Sequence, residues 1–298
     1  MDLNQNVNEN VDTGTLRIHL TNESNGTPVQ GAKISISYTG NPSQTIEEVS
    51  ADDSGNSEEL TLNAPPLEYS MEPSEEQPYA EYTIRVQAPG YRDITVSAIN
   101  VLPGETAIQN VRMEAEDAPG DRIDMVVIAA HTLYAEYPPK IPEDEIKPMN
   151  ESGEIVLSRV VIPEYIVVHD GAPGDTTASD YYIRYRDYIK NVASSEIYAT
   201  WPDAAIRANV LAIMSFTLNR VYTEWYRGKG YNFTITSSTA YDHKFIYGRN
   251  YFQSISRVVD EMFENYLSRP NVDTDTVLRR TACYLPELDV TVGQQISG

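Results

Sequence analysis

Disulfides, membrane-length apolar runs and positive charge are what this sequence has least of. A single cysteine, Cys283, stands in 298 residues. No intramolecular disulfide and no multi-cysteine zinc cage can hold such a chain, so an apolar core must do it. No window reaches the roughly 18 uninterrupted apolar residues of a membrane span. The opening MDLNQNVNENVDTG has neither a basic nor an apolar stretch and does not read as a secretion signal. Lys and Arg total 22 against 44 Asp and Glu, a formal net charge of -22. A field of that sign repels phosphate backbones and anionic lipid faces, which argues against nucleic acid as a partner. With 41% apolar residues the chain is not a fully disordered one, and its length suits about two domains.

The acid is unevenly spread. Residues 1–120 hold 20 acids and 5 bases, residues 121–180 hold 12 and 4, and residues 181–298 hold 12 and 13. After an Asn-rich tail over 1–13, the segments TLRIHL, AKISISY, EELTL, AEYTIRVQA, DITVSAI and AIQNVRM alternate apolar with polar residues between Gly, Pro, Asn or Asp. That period predicts short strands, and their spacing predicts a β-sandwich over 14–116. The Glu- and Pro-rich stretch from Pro65 to Pro78 reads as a solvated loop within it. Residues 117–180 read as a connector, with strands at DMVVIAA and EIVLSRVVI separated by the Pro-rich YPPKIPEDEIKP.

Beyond Asp180 the period becomes helical. A helix is predicted near Arg186 to Ile197, closing on Glu196. A second starts from a capping box at Thr200-Trp201-Pro202-Asp203, carries Ile206, Val210, Ile213, Val221 and Trp225, and stops at Gly228. Its other face, with Leu211, Met214 and Leu218, is apolar too, so it belongs at the centre of a mixed α+β domain over 181–298. A third runs from about Asn250, with Phe252, Ile255, Val259, Met262, Phe263 and Tyr266 on one face. The expected fold class is thus α+β multidomain, a β-sandwich followed by a mixed α+β domain with a buried central helix.

Two resemblances attach to these residues. TPVQGAKISI from Thr27, the turn Asp52-Asp53-Ser54-Gly55, and YTIRVQAPGY ending at Tyr91 resemble the transthyretin-like or carboxypeptidase-regulatory-like β-sandwich family, which implies an accessory or adhesive module. YRDYIKNVASSEIYATWPDAAIRANVLAIMSFTLNRVY, from Tyr185 to Tyr222, followed by TSSTAYD from Thr236 to Asp242, resembles the stage II sporulation protein D (SpoIID/LytB) family. That resemblance implies lytic cleavage of peptidoglycan glycan strands, with Glu196 as the acid, and a setting in the cell wall or spore envelope. It implies no cofactor. A zinc site of the kind some members hold is not expected here, with one cysteine and no nearby histidine cluster.

The chemistry stands beside the resemblance. A glycosidic oxygen leaves poorly unless protonated, so the site needs a carboxylic acid that stays neutral near working pH. A helix C-terminus and flanking Ile197, Tyr198 and Trp201 both push the Glu196 carboxyl that way. Tyr188, Tyr198 and Tyr241 are candidates to stack on sugar faces, ahead of Tyr181, Tyr182, Tyr185 and Trp201. Ser195, Ser237 and Ser238 fall in the motif as candidate substrate contacts. His243 reads first as a lone exposed loop histidine and second as an auxiliary acid-base or metal group, and His169-Asp170 is assigned no chemistry. The chain departs from the family at Ala204-Ala205-Ile206, Met214-Ser215-Phe216 and Thr239, and residues 271–298 lack the Ser/Gly-rich stretch that completes the family's cleft. A non-catalytic peptidoglycan-binding or envelope structural protein is the alternative reading. Oligomeric state leaves no mark in the sequence.

Overall fold

Alternation of apolar and polar residues builds the first part of the chain. In β1 (Asp12–Asn22), Leu16, Ile18 and Leu20 are fully buried while Arg17 and His19 reach the surface. The same period places Ile34 and Ile36 of β2 (Lys33–Tyr38) and Tyr82, Ile84 and Val86 of β5 (Ala80–Gln87) inside. The computed structural model describes residues 12–73, 75–120, 123–131, 133, 137–141, 161–263 and 265. Among these the chain is mixed α+β, with three sheets and four helices. Its contacts divide it into two units.

The first unit comprises the described residues up to 133 together with Tyr198–Trp201 and Ile246–Ile255. One sheet has the order β12-β7-β1-β4, where β4 is Leu60–Ala64, β7 is Thr106–Met113 and β12 is Tyr251–Phe252. β1 runs antiparallel to β4 and parallel to β7. The other sheet has the order β3-β2-β5-β6-β8, with β3 at Thr45–Ser50, β6 at Ile94–Val101 and β8 at Met125–Val127. β6 contacts β7, β1 and β4 of the first sheet, and its buried Val96, Ile99 and Val101 join their core. All six strands expected in 14–116 form. β3 was not foreseen, because Thr45–Ser50 buries only Val49 and carries no alternating pattern.

Gly14 shows how tightly β1 is seated. A Cβ there would stand 2.2 Å from the Leu102 carbonyl oxygen and 2.6 Å from Val101 Cγ1. Backbone on one side leaves no flexible neighbour to yield. Gly14→Ala should therefore cost about 1–3 kcal/mol, read as a fall in the urea midpoint, and an unchanged midpoint would contradict this close approach.

Two expectations need correction in this unit. The Pro65–Pro78 segment is largely exposed but carries a short helix, α1 (Glu68–Met71), and Ser70 is buried. Thr200 Oγ1 donates to Ser70 Oγ at 2.8 Å, and Trp201 Nε1 donates to the Ser70 carbonyl at 2.8 Å. The Thr200 hydroxyl is therefore committed to α1, and the predicted capping box does not form. The following helix starts from Pro202 with no side-chain cap.

In the second unit β10 (Asp180–Arg184), β9 (Tyr165–His169) and β11 (Ile235–Thr236) form a sheet in that order. β10 passes directly into α2 (Tyr185–Glu196), and α3 (Asp203–Tyr222) packs on α2. α3 buries Ile206, Val210, Ile213, Met214 and Leu218 but also Thr217 and Arg220, while Val221 and Leu211 keep part of their surface. The helix ends at Tyr222, six residues before Gly228, because Glu224 takes a positive φ of 49°. α4 (Gln253–Met262) begins after β12, three residues later than expected. The tail before Asp12, most of the EIVLSRVVI strand, Tyr266 and the segment after 270, Cys283 included, lie outside the described residues. Among the described residues no helix is long and apolar enough to cross a membrane.

Candidate functional site

Glu196 is the last residue of α2, where an amphipathic helix leaves its core-facing side. Tyr185, Tyr188, Ile189 and Val192 are fully buried along that side, and the chain turns extended at Ile197. Glu196 as a whole residue keeps part of its surface. Its Oε1 accepts the backbone N–H of Lys244 at 3.1 Å. Burial raises its pKa above the ordinary glutamate range. The Lys244 N–H, the Lys140 charge, the Asn209 side chain and the Lys244 charge pull the other way without cancelling it. A carboxyl held toward its neutral form is one that can deliver a proton.

The loop that supplies Lys244 is fixed by Asp242. Asp242 is buried, and its Oδ1 accepts Arg220 Nε of α3 at 2.7 Å. Its Oδ2 accepts Tyr226 Oη at 2.7 Å, Thr236 N at 2.9 Å and Thr236 Oγ1 at 2.6 Å. Lys140 Nζ donates to the Asp242 carbonyl at 2.7 Å. One carboxylate thus ties the end of α3 and the start of the Thr236–Asp242 loop together, and the residue two positions on reaches Glu196. Arg220 in turn lies over the rings of Phe216, Trp225 and Tyr226 at 4.7, 4.7 and 5.4 Å.

The residues expected at the site fall into two groups. Ser237, Ser238 and Tyr241 are part-exposed in the loop, where Ser238 O accepts the N–H groups of Tyr241 and Asp242. Tyr188 and Ser195 are enclosed. Tyr188 stacks on Phe245 at 5.9 Å and shares a 3.1 Å hydrogen bond with His243 Nδ1, so neither ring face is at the surface. Ser195 Oγ donates back to the Asn191 carbonyl one helical turn earlier. Tyr198 is buried in the first unit, with its hydroxyl donating to the His131 carbonyl at 3.3 Å, and its ring meets Trp201 edge-on. Tyr185 is buried in the core, while Tyr182 is 73% exposed on β10. Tyr181 keeps part of its surface.

No protein-family model matches the chain, and no curated protein does. Solved structures similar to it include the Bacillus anthracis TIE protein, at 23% identity over 35% of this chain and 17% of that one, with a TM-score of 0.25. Wild-type catechol 1,2-dioxygenase of Acinetobacter radioresistens matches at 16% identity over 39% of this chain and 58% of its own, with a TM-score of 0.25. GBS52, the minor pilin of Streptococcus agalactiae, matches at 13% identity over 38% and 48%, with a TM-score of 0.26. The chain spans less than two thirds of each of these proteins, and likenesses at such scores carry no argument about fold or function.

His243 departs most from its sequence reading. The exposed loop histidine is a buried one, packed 4.7 Å from Phe216 and bonded to Tyr188. Burial holds its pKa down to about 3, with the Lys140 and Arg220 charges adding to that and Asp242 opposing it. The imidazole is therefore neutral at physiological pH. A depressed histidine pKa gives stability that is full above the unfolded value near 6.5 and is lost as pH falls toward 3. We expect unfolding free energy to drop by up to ~1.4 kcal/mol per pH unit below about 6. His243→Gln should flatten that slope, and an equally steep slope in the variant would remove His243 as its source.

Two further pairs escaped the sequence. Arg220 and Asp242 are 22 positions apart, and nothing local marks them as partners. His169 Nδ1 meets Asp180 Oδ1 at 2.7 Å because β9 and β10 pair in antiparallel register, and its ring stacks on Phe233 at 4.4 Å. Eleven positions separate the two, and the Asp that directly follows His169 in sequence, Asp170, is not the partner. Among the described residues no group of three or more His, Cys, Asp or Glu side chains is placed to hold a metal ion.

Proposed function

We propose that this protein cleaves peptidoglycan glycan strands as a lytic transglycosylase, with Glu196 acting first as acid and then as base. The observation that carries the reading is Glu196 at the end of α2, a residue that keeps part of its surface while burial holds its carboxyl toward the neutral form. In this scheme Glu196 gives its proton to the glycosidic oxygen as the bond from that oxygen to the anomeric carbon breaks. The 6-hydroxyl of the muramyl residue then bonds to the same carbon, and its proton returns to Glu196. Atoms and charge balance, no second carboxylate is required, and the product carries an anhydro-muramyl end. The Lys244 N–H fixes the carboxyl plane through Oε1 during both steps.

The proposal includes a C-terminal half related to the SpoIID/LytB family and an N-terminal β-sandwich of the carboxypeptidase-regulatory-like kind. The alternating burial of the first unit's two sheets and the contacts of β6 with β1, β4 and β7 support the sandwich. A cell-wall or spore-envelope setting belongs to the same reading. A second reading, peptidoglycan binding without cleavage, draws support from the enclosure of Tyr188 and Ser195, two residues expected to face the substrate.

Digestion of purified peptidoglycan, intact and stripped of stem peptides, separates the two when products are resolved by mass spectrometry. Anhydro-muramyl ends are expected from the wild-type protein. Sedimentation onto the polymer with no such ends would leave the binding reading in place of the enzymatic one.

A further inference from the structure

Lys244 is not the only hydrogen-bond partner of the Glu196 carboxyl. Its backbone N–H meets Oε1 at 3.1 Å, and the Asn209 side chain of α3 bonds to the same carboxyl. All three residues belong to the second unit, where α3 packs on α2. Of the two ends of the Asn209 amide, Nδ2 is the one that donates to the carboxylate. Oδ1 is shielded from water and accepts no hydrogen bond among the described residues. A buried acceptor costs free energy until something donates to it.

Packing alone does not explain an asparagine at this position. Asn209 lies one helical turn from Ile206 and from Ile213 and stands next to Val210, all three of them buried. An apolar side chain would continue that face. Asparagine is also among the weaker helix formers, because its side chain competes for backbone groups. Here the amide is turned to Glu196, with one end engaged and the other left over.

We propose that Asn209 is a positioning residue that serves both protonation states of Glu196: Nδ2 donates to the carboxylate, and after a half-turn of the amide Oδ1 accepts the O–H of the carboxylic acid. Rotation about the Cβ–Cγ bond exchanges the donor and acceptor ends of an amide at nearly the same reach. Lysine or arginine at 209 could only donate, and an ionised aspartate could only accept. The Lys244 N–H is a fixed donor, so it meets an oxygen that carries no proton and leaves the proton to Oε2. The pairing of Asn209 with Glu196 does not depend on the proposed cleavage. Its catalytic use rests on that reading, in which one carboxyl is acid in the first step and base in the second. A carboxyl bonded in both forms keeps its place through both.

The test follows the amide and the reaction separately, in the full chain. With ¹⁵N-asparagine incorporated, the Asn209 side-chain signal is assigned by its loss in Asn209→Leu. It should move with pH along a single curve whose midpoint is that of the Glu196 carboxyl carbon, read in ¹³C-glutamate-labelled protein, and it should stay still in Glu196→Gln. In Asn209→Leu the Glu196 midpoint should move to higher pH, because the bond lost by the ionised form is the stronger of the two. On soluble glycan strands Asn209→Leu should lower kcat about 10²-fold with KM nearly unchanged, and Asn209→Gln, which keeps donor and acceptor, should recover part of that loss. An Asn209 signal indifferent to pH through the Glu196 midpoint, an equal response in Glu196→Gln, or an unmoved Glu196 midpoint in Asn209→Leu would overturn the proposal. Should Asn209→Leu not fold, Asn209→Gln assigns the signal in its place and the wild-type titration decides. No cleavage by the wild-type protein would remove the catalytic use, while the amide titration still decides the pairing, so the two failures are separate results.

Discussion

Asp242→Ala should destabilise the second unit by about 3–5 kcal/mol, the cost of breaking a buried ion pair from one side. The loss is large because four donors converge on this one carboxylate, Arg220 Nε, Tyr226 Oη, Thr236 N and Thr236 Oγ1. Removing it leaves a guanidinium 6% exposed, with aromatic rings on several sides, without the carboxylate that Nε meets at 2.7 Å. It also leaves the Thr236 backbone N–H unpaired in a fully buried place. Trp225, 4.7 Å from Arg220, makes tryptophan fluorescence a local reporter for a urea titration. The double variant Arg220→Met, Asp242→Leu should recover only part of the loss, since the lone charge is gone but Thr236 and Tyr226 still lack their acceptor. A cost below about 1 kcal/mol for Asp242→Ala would show that the network contributes far less than its geometry suggests.

Glu196→Gln should abolish glycan cleavage while making the protein slightly more stable at neutral pH. General acid-base groups contribute typically 10²–10⁴-fold, and glutamine has no proton to give at the glycosidic oxygen. Its amide oxygen still accepts the Lys244 N–H, so the loop keeps its place. The stability change follows from the direction of the pKa shift. Because the fold raises the Glu196 pKa, the ionised carboxylate disfavours folding above the folded pKa, and the penalty vanishes below the unfolded value of 4.5. Glutamine removes that penalty, a gain on the order of 1 kcal/mol at pH 7 of the kind relieved functional groups give, and it gives none at pH 4. Equal wild-type and variant cleavage would take Glu196 out of the mechanism. A gain of the same size at both pH values would show that its source is not the buried charge.

Much of this architecture is legible in the sequence because it is periodic. Alternation at Leu16, Ile18 and Leu20 fixes which face of β1 is buried whatever lies opposite, and the spacing of Ile206, Val210 and Ile213 marks the face that α3 buries before its partners are known, while Leu211 and Val221 keep part of their surface. Glu196 as the last residue of a helix is likewise a local property, since the run from Tyr185 carries its own period. Strands of two residues are different. β11 and β12 have no period to detect and exist only because β9 and β7 offer open backbone partners.

The candidate site divides the same way. That Glu196 and the Thr236–Asp242 loop were named together came from a resemblance in the order of residue types, and in the structure the Lys244 N–H beyond that loop meets Glu196. That Asp242 is the fastening of that loop, that His243 is sealed and neutral, and that Tyr188 and Ser195 face inward depend on α3 bringing Arg220 and Phe216 to the loop. Burial is a property of what surrounds a residue from distant parts of the chain, and so is the pKa shift that burial causes. The sequence alone therefore determined most of the elements, and tertiary packing decided which of their polar side chains keep exposed surface and which are sealed, because desolvation and pairing come only from neighbours the chain brings together on folding.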